Sequence, residues 1–229
     1  MNDDLGTVLV TGGASGLGAA IAEAVAREGG TPVVLDRRAP ADGIAYREVD
    51  LARSREAEAA VRDVADEHGG LAAVVTAAGT DACGDLLDVD PDDWDRVVMV
   101  NLLGTAAVVR AALPYLERSR GRVVTVASTL GVRALPAATA YCASKFGVVG
   151  FTRALAAETA GRVGVTLLFP GGMRTHFFDG RPEQFMPAAD QDLNDPADVA
   201  ASVVFALLQP PGCEVRELMV APATEPSWP

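Results

Sequence analysis

Thr7-Val8-Leu9-Val10-Thr11-Gly12-Gly13-Ala14-Ser15-Gly16-Leu17-Gly18 decides the fold. The first five residues are a short apolar run without alternation, the pattern of a strand buried on both faces. A glycine-rich turn follows at once. Ala19 to Glu28 then carry a helical pattern, which Gly29-Gly30 end. Pro32-Val33-Val34-Leu35-Asp36 reads as a second buried strand with an acid at its end. Strand, glycine turn, helix, strand and acid make the layout of a dinucleotide site. The glycines let the backbone approach a pyrophosphate at the helix N-terminus. Asp36, 18 residues after Gly18, is placed to accept from ribose hydroxyls. A turn that served only to reverse the chain would leave Asp36 unexplained.

The totals bound the rest. A chain of 229 residues, 49% apolar, is long enough for one large core and short for two domains. Residues 1–229 are therefore expected to form a single domain. The net charge of −12, without a run of like charges, argues against nucleic acid and anionic membranes as partners. Cys83, Cys142 and Cys213 are odd in number and far apart, and His68 and His176 are scattered, so no metal site is expected. The acidic start, Met1-Asn2-Asp3-Asp4, does not read as a signal peptide, and no apolar run approaches the roughly 18 residues of a membrane span. A soluble, cytoplasmic protein is the expectation.

Tyr141-Cys142-Ala143-Ser144-Lys145 is the second decisive stretch. Tyr141 and Lys145, four apart, share one face if the segment is helical. An ammonium beside a phenol favours the phenolate. It should lower a pKa that starts near ~10 and let Tyr141 exchange a proton near neutrality. Lys145 is the chain's one lysine against eighteen arginines, so this position wants a compact ammonium and not a planar fork.

Gly12-x-x-x-Gly16-x-Gly18 together with Tyr141-x-x-x-Lys145 makes the chain resemble the short-chain dehydrogenase/reductase family over essentially its whole length. The resemblance implies an α/β doubly wound, mostly parallel seven-stranded sheet of order 3-2-1-4-5-6-7, with helices on both faces. It implies hydride transfer between NAD(H) and a secondary alcohol or ketone. Ser128, thirteen residues before Tyr141 at the end of a fifth strand, would hold the substrate carbonyl; Thr125 and Thr129 are the nearby alternatives. Asn101, in the apolar run Val97 to Gly104 of a helix expected from Pro91 to about Arg118, would bend that helix and hold a water beside Lys145. The catalytic set is then Asn101, Ser128, Tyr141 and Lys145.

The cofactor set implied is Gly12, Ser15, Gly16, Leu17, Gly18, Asp36, Asp50, Leu51, Ala77, Ala78, Gly79, Tyr141, Lys145, Pro170, Gly171, Met173 and Thr175. Asp50-Leu51 would meet the adenine amine, and Asp50 is also a candidate cap for the helix that follows. Thr76-Ala77-Ala78-Gly79 departs from the family's Asn-Asn-Ala-Gly; the Thr76 hydroxyl is expected to supply part of the missing bracing. Asp36 repels a 2′-phosphate and favours NAD over NADP, while Arg37 and Arg38 argue the other way. A loop of about residues 176–195, with Phe177, Phe178, Phe185 and Met186, is expected to close an apolar substrate pocket. His176 reads as a loop hydrogen-bonder. The tail 221–229 is not expected to fold alone, and its Trp228 is expected to dock on a neighbouring subunit, the family being usually dimeric or tetrameric. The alternative to an active oxidoreductase is a catalytically silent, dinucleotide-binding regulator or scaffold.

Overall fold

The computed structural model describes residues 5–41 and 43–227. Strands β1 (Thr7–Thr11), β2 (Thr31–Asp36), β3 (Ala45–Glu48), β4 (Ala73–Thr76), β5 (Arg122–Val126), β6 (Gly164–Pro170) and β7 (Glu217–Val220) form one sheet. Their order is β3-β2-β1-β4-β5-β6-β7, and every pairing is parallel. The expected order is thus the observed one.

Helices α1 (Gly16–Arg27) and α6 (Pro196–Leu207) cover one face; α2 (Ser54–Glu67), α4 (Thr105–Ser119) and α5 (Thr139–Glu158) cover the other. Side chains of β1 alternate between them. Val8 and Val10 pack with Ile21, Val25 and Val203, whereas Leu9 packs with Val61, Val108 and Leu116. Burial on both faces is why these strands are apolar throughout.

The helix expected from Pro91 to Arg118 is interrupted. Helix α3 (Pro91–Val98) passes into a π-helical segment, Met99–Gly104, before α4 begins. Asp90 caps α3 by accepting from the Asp92 amide, with Pro91 in the first turn. The run Pro91–Ser119 is 29 residues, long and apolar enough by composition to cross a membrane, contrary to the expectation that no run would be; 56% of its most apolar window is packed inside the fold. Asp50 does not cap α2, whose N-cap is Arg53. Its Oδ1 accepts from the Ala52 amide, and the carboxylate pairs with Arg96.

Candidate active site

All seven strands end on one side, and a cleft of about 1360 Å³ runs across those carboxyl ends. Its lining includes every expected cofactor residue, together with Ser128, Tyr141 and Lys145. Asn101 lies buried just beneath.

At one end the turn after β1 is built for close approach. Gly12 has φ +73°, and a Cβ there would lie 2.6 Å from the Ala78 Cα. A Cβ on Gly18 would lie 2.1 Å from the Gly12 carbonyl oxygen. Ser15, the N-cap of α1, makes no side-chain capping bond, which leaves the amides of the first turn open to an anion. Thr175 stands over Gly16. Asp36 braces the turn: Oδ2 accepts from the Ala14 amide at 3.0 Å and Oδ1 from the Arg38 amide at 3.1 Å. The Arg38 guanidinium reaches Ser15 Oγ at 3.3 Å. Burial pushes the Asp50 carboxyl up, but the Ala52 amide and the Arg96 guanidinium more than offset it, leaving it below its usual range. These residues fit an adenosine, its ribose and a pyrophosphate: backbone donors for the phosphates, a carboxylate for the ribose, and no Cβ in the way.

Thr76 does not brace the sheet as expected. Its buried hydroxyl has no partner among the described residues. Thr11 does this work instead, its Oγ1 accepting from the Ala78 amide at 3.2 Å.

The other end gathers the catalytic candidates. Lys145 is 4% exposed, its Nζ donates to the Val126 carbonyl at 2.8 Å, and it lies 5.6 Å from the centroid of the Tyr141 ring. Ser128, just past the end of β5, accepts from the Leu130 amide, and its hydroxyl acts to lower the pKa of the Tyr141 phenol. Asn101 sits in the π segment with both polar side-chain atoms hydrogen-bonded. Its Oδ1 accepts from the Thr80 amide at 2.8 Å; its Nδ2 donates to the Thr80 carbonyl and to Ser144 Oγ. The extra residue of a π turn is what aims this side chain inward. Both Asn101 Oδ1 and Lys145 Nζ lie near Gly79.

One expectation is overturned. Tyr141 is not lowered towards neutrality by Lys145: burial pushes the phenol up, the Ser128 hydroxyl offsets part of that, and Asp81 adds to it. The same burial pushes Lys145 down to about 8, with Asp81 acting against it. Desolvation is the largest cause at both groups.

The substrate side holds residues that sequence reading passed over. Asp81 Oδ2 pairs with Arg181 Nη2 at 2.7 Å, both side chains largely buried. Cys83 donates its thiol to Asp81, and burial pushes that thiol up to about 11. The tail folds back on its own chain. Glu225 Oε2 accepts from the Gly172 amide at 2.8 Å, and Oε1 accepts from the Ser227 amide and hydroxyl. Ser227 Oγ lies 2.7 Å from Thr129 Oγ1. The tail through Ser227 is therefore part of the cleft wall, not a free end; Trp228 lies outside the described residues. His176 hydrogen-bonds Asp179 through Nδ1 at 2.8 Å, as a loop residue should. Met173 bridges Asn194, so the loop between them is closed at its base. An acid just past β4, Asp81, was the one signal available; nothing local pointed to Arg181 or Glu225.

Among the described residues no group of His, Cys, Asp and Glu is arranged to hold a metal.

Comparison with known proteins agrees with this geometry. The family model described as short chain dehydrogenase matches residues 6–184. The chain is 32% identical over 228 residues to 2-(S)-hydroxypropyl-CoM dehydrogenase 3 of Xanthobacter autotrophicus, covering 87% of this chain and 88% of that one. It is 30% identical over 237 residues to the glycine betaine reductase ATRR of Emericella nidulans, covering 95% of this chain but spanning only 19% of that protein's length. Among solved structures, the ligand-free aldohexose dehydrogenase of Thermoplasma acidophilum superposes with a TM-score of 0.86 at 25% identity, covering 96% of this chain and 94% of that one.

Proposed function

The chain belongs to the short-chain dehydrogenase family, and from that premise we propose that it is an NAD-dependent oxidoreductase of secondary alcohols and ketones with Tyr141 as general acid and base. The observation that carries this reading is the convergence of Ser128, Tyr141 and Lys145 on one wall of a cleft whose far end is shaped for a dinucleotide. The Xanthobacter relative is named for dehydrogenation of a 2-hydroxypropyl group, which is a secondary alcohol.

The adenosine end would be held by Asp36, Asp50 and Leu51, the pyrophosphate by the turn from Gly12 to Gly18 with Thr175, and the nicotinamide end by Ala78, Gly79, Pro170, Gly171 and Met173. When bound, the nicotinamide supplies or takes the hydride. The rest falls to side chains. Ser128 orients the reacting oxygen by hydrogen bonding. Tyr141 takes the proton from an alcohol or gives it to a ketone. Lys145, one helical turn on, holds positive charge beside the phenol when Tyr141 gives up its proton, and Asn101 fixes the backbone at Thr80 beneath it. Phe177, Phe178, Phe185, Met186 and Leu135 give the substrate pocket an apolar wall that excludes water.

For NAD speaks the Asp36 carboxylate at the end of β2, which disfavours a 2′-phosphate. A specific observation favours NADP as the second reading: Arg38 already lies against Ser15 at the glycine turn, with Arg37 beside it on the cleft. The same reading has the protein act in the cytoplasm as a dimer or tetramer, with neither nucleic acid nor membrane as partner. Support for assembly comes from Met99, Leu103 and Phe146, large apolar side chains exposed on the π segment and α5. A panel of secondary alcohols and ketones, followed by cofactor absorbance with NAD and with NADP, tests the proposal. Turnover with NAD preferred is expected; preference for NADP would refute the cofactor assignment, and turnover with neither would refute the activity.

A further inference from the structure

The loop over the substrate end of the cleft is tied at its base by the Met173–Asn194 bridge, to the tail through Asp192 and Thr224, and to the shelf after β4 by a buried ion pair. Arg181, in the segment after the 3₁₀ turn His176–Phe178, reaches Asp81 on the shelf after β4, a hundred residues earlier. The side chains are 16% and 8% exposed. The Arg181 guanidinium rests over two rings of its own loop, 5.0 Å from the centroid of Phe177 and 4.7 Å from that of Phe178. Phe177 in turn stands 5.7 Å, ring to ring, from Tyr141. One cation thus ties the loop to the shelf and presses an aromatic wall against the phenol. Asp81 has further donors in the Ala82 amide and the Cys83 thiol, both local to the shelf. Arg181 is the cation that the loop brings to it.

We propose that the Asp81–Arg181 pair is a clasp that couples closure of the loop to the readiness of Tyr141. With the loop down, Arg181 offsets part of the Asp81 charge beside the phenol, and Phe177 packs against its ring. With the loop up, Asp81 faces Tyr141 alone, and its negative charge keeps the phenol protonated. The base is then assembled only over a closed pocket, where water is excluded. Asp81 and Arg181 are positioning residues here, and the inference rests on Tyr141 being the proton-transfer group.

The other groups around Tyr141 do not move with the loop. Lys145 and Cys142 belong to its own helix, and Ser128 to the end of β5. Asp81 raises the phenol's pKa and Arg181 lowers it, so the two carry opposite signs at this atom. Asp81 also raises Lys145, so its removal lowers both members of the pair.

The opposite signs make the test. For alcohol oxidation, the rise of kcat/KM with pH should move to lower pH in Asp81→Asn and to higher pH in Arg181→Gln, each by roughly half a unit to one unit. The double variant should return close to the wild-type midpoint. A purely structural pair would lower the rate in both variants without moving the midpoints apart. Two measurements on the ligand-free protein need no turnover. Chymotrypsin should cut the loop at Phe177, Phe178 or Phe185 faster in both variants. Absorbance titration of the phenolate, with Tyr141→Phe as blank, should begin at lower pH in Asp81→Asn than in wild type. Midpoints unmoved, or moved in the same direction, and an unmoved phenolate onset would overturn the clasp. Retained turnover in Tyr141→Phe would instead sink the catalytic reading, and the ligand-free results would still judge the clasp.

Discussion

At one end of the cleft most of the wall comes from residues 12–51, consecutive strands and turns of the first half of the sheet, with Thr175 added from outside. At the other the walls come from segments around residues 80, 128, 141, 172, 181 and 226, with Asn101 beneath them. The adenosine end is made mostly of backbone: an open helix terminus, glycines without Cβ atoms, and a strand-end acid whose contacts are with amides. The substrate end is made of side chains meeting across loops. The first arrangement is fixed by chain geometry and tolerates little variation. The second is fixed by pairs of residues and can be retuned one pair at a time, which is where a family that shares chemistry can vary its substrates.

Four changes break or sharpen that contrast. Gly18→Val should be the most severe. A Cβ there meets the Gly12 carbonyl at 2.1 Å, and binding of either dinucleotide should fall by about a hundredfold or more by calorimetric titration. Unchanged binding would mean that the glycine end is not shaped by backbone approach.

Lys145→Met tests the buried pair through stability. Burial holds Lys145 near 8 against 10.5 for a free lysine. Between those values the unfolded chain keeps a proton that the folded one sheds. Lys145 therefore destabilises the fold fully below pH 8, and that penalty is relieved as pH rises towards 10. The stability difference between Lys145→Met and wild type should shrink over this window by on the order of 3 kcal/mol. Urea unfolding at several pH values measures it. Cys83, whose raised pKa acts in the opposite sense above its ordinary value of 9, is common to both proteins and cancels. A difference that does not vary with pH would show that Lys145 is better solvated than its burial implies.

Asp36→Ala should weaken NAD binding about tenfold and improve NADP binding, because a charge-assisted acceptor is lost and a repulsion removed. Equal losses for both dinucleotides would assign Asp36 to bracing Ala14 alone. The mildest change is expected from Glu225→Gln. Its carboxylate ties the tail to the Gly172 amide, so KM for the alcohol should rise by a few-fold, on the order of 1 kcal/mol, with dinucleotide affinity unchanged. An equal effect on dinucleotide affinity would erase the distinction between the two ends.

The same contrast explains what could be read from the sequence. The β1 run, the glycine turn and Asp36 are contiguous, so their meaning is local. Tyr141 and Lys145 are one helical turn apart, and Ser128 closes the strand just before them. Asn101 was visible as an amide in an apolar run, but the π segment around it was not. Six residues of altered winding leave no trace in a pattern of apolar side chains. The hydroxyl expected of Thr76 came from Thr11, because the two lie side by side on paired strands and only geometry chooses between them. Asp81 offered only an acid past β4, and Arg181, Glu225 and Ser227 were silent. Each sits in a loop, and each acquires its meaning from a partner brought near by the sheet, in Arg181's case a hundred residues away. The fall in the phenol's pKa expected from Lys145 failed for a related reason. Spacing tells that two groups are neighbours but not how dry their pocket is.

The claim on which the rest depends is that Tyr141 moves the proton. Tyr141→Phe keeps the ring against Phe177 and removes only the hydroxyl. Turnover of the best alcohol should fall by roughly 10²–10⁴-fold, while dinucleotide affinity stays near that of the wild type. Turnover that survives the loss of the hydroxyl, with the dinucleotide still bound, would contradict the account.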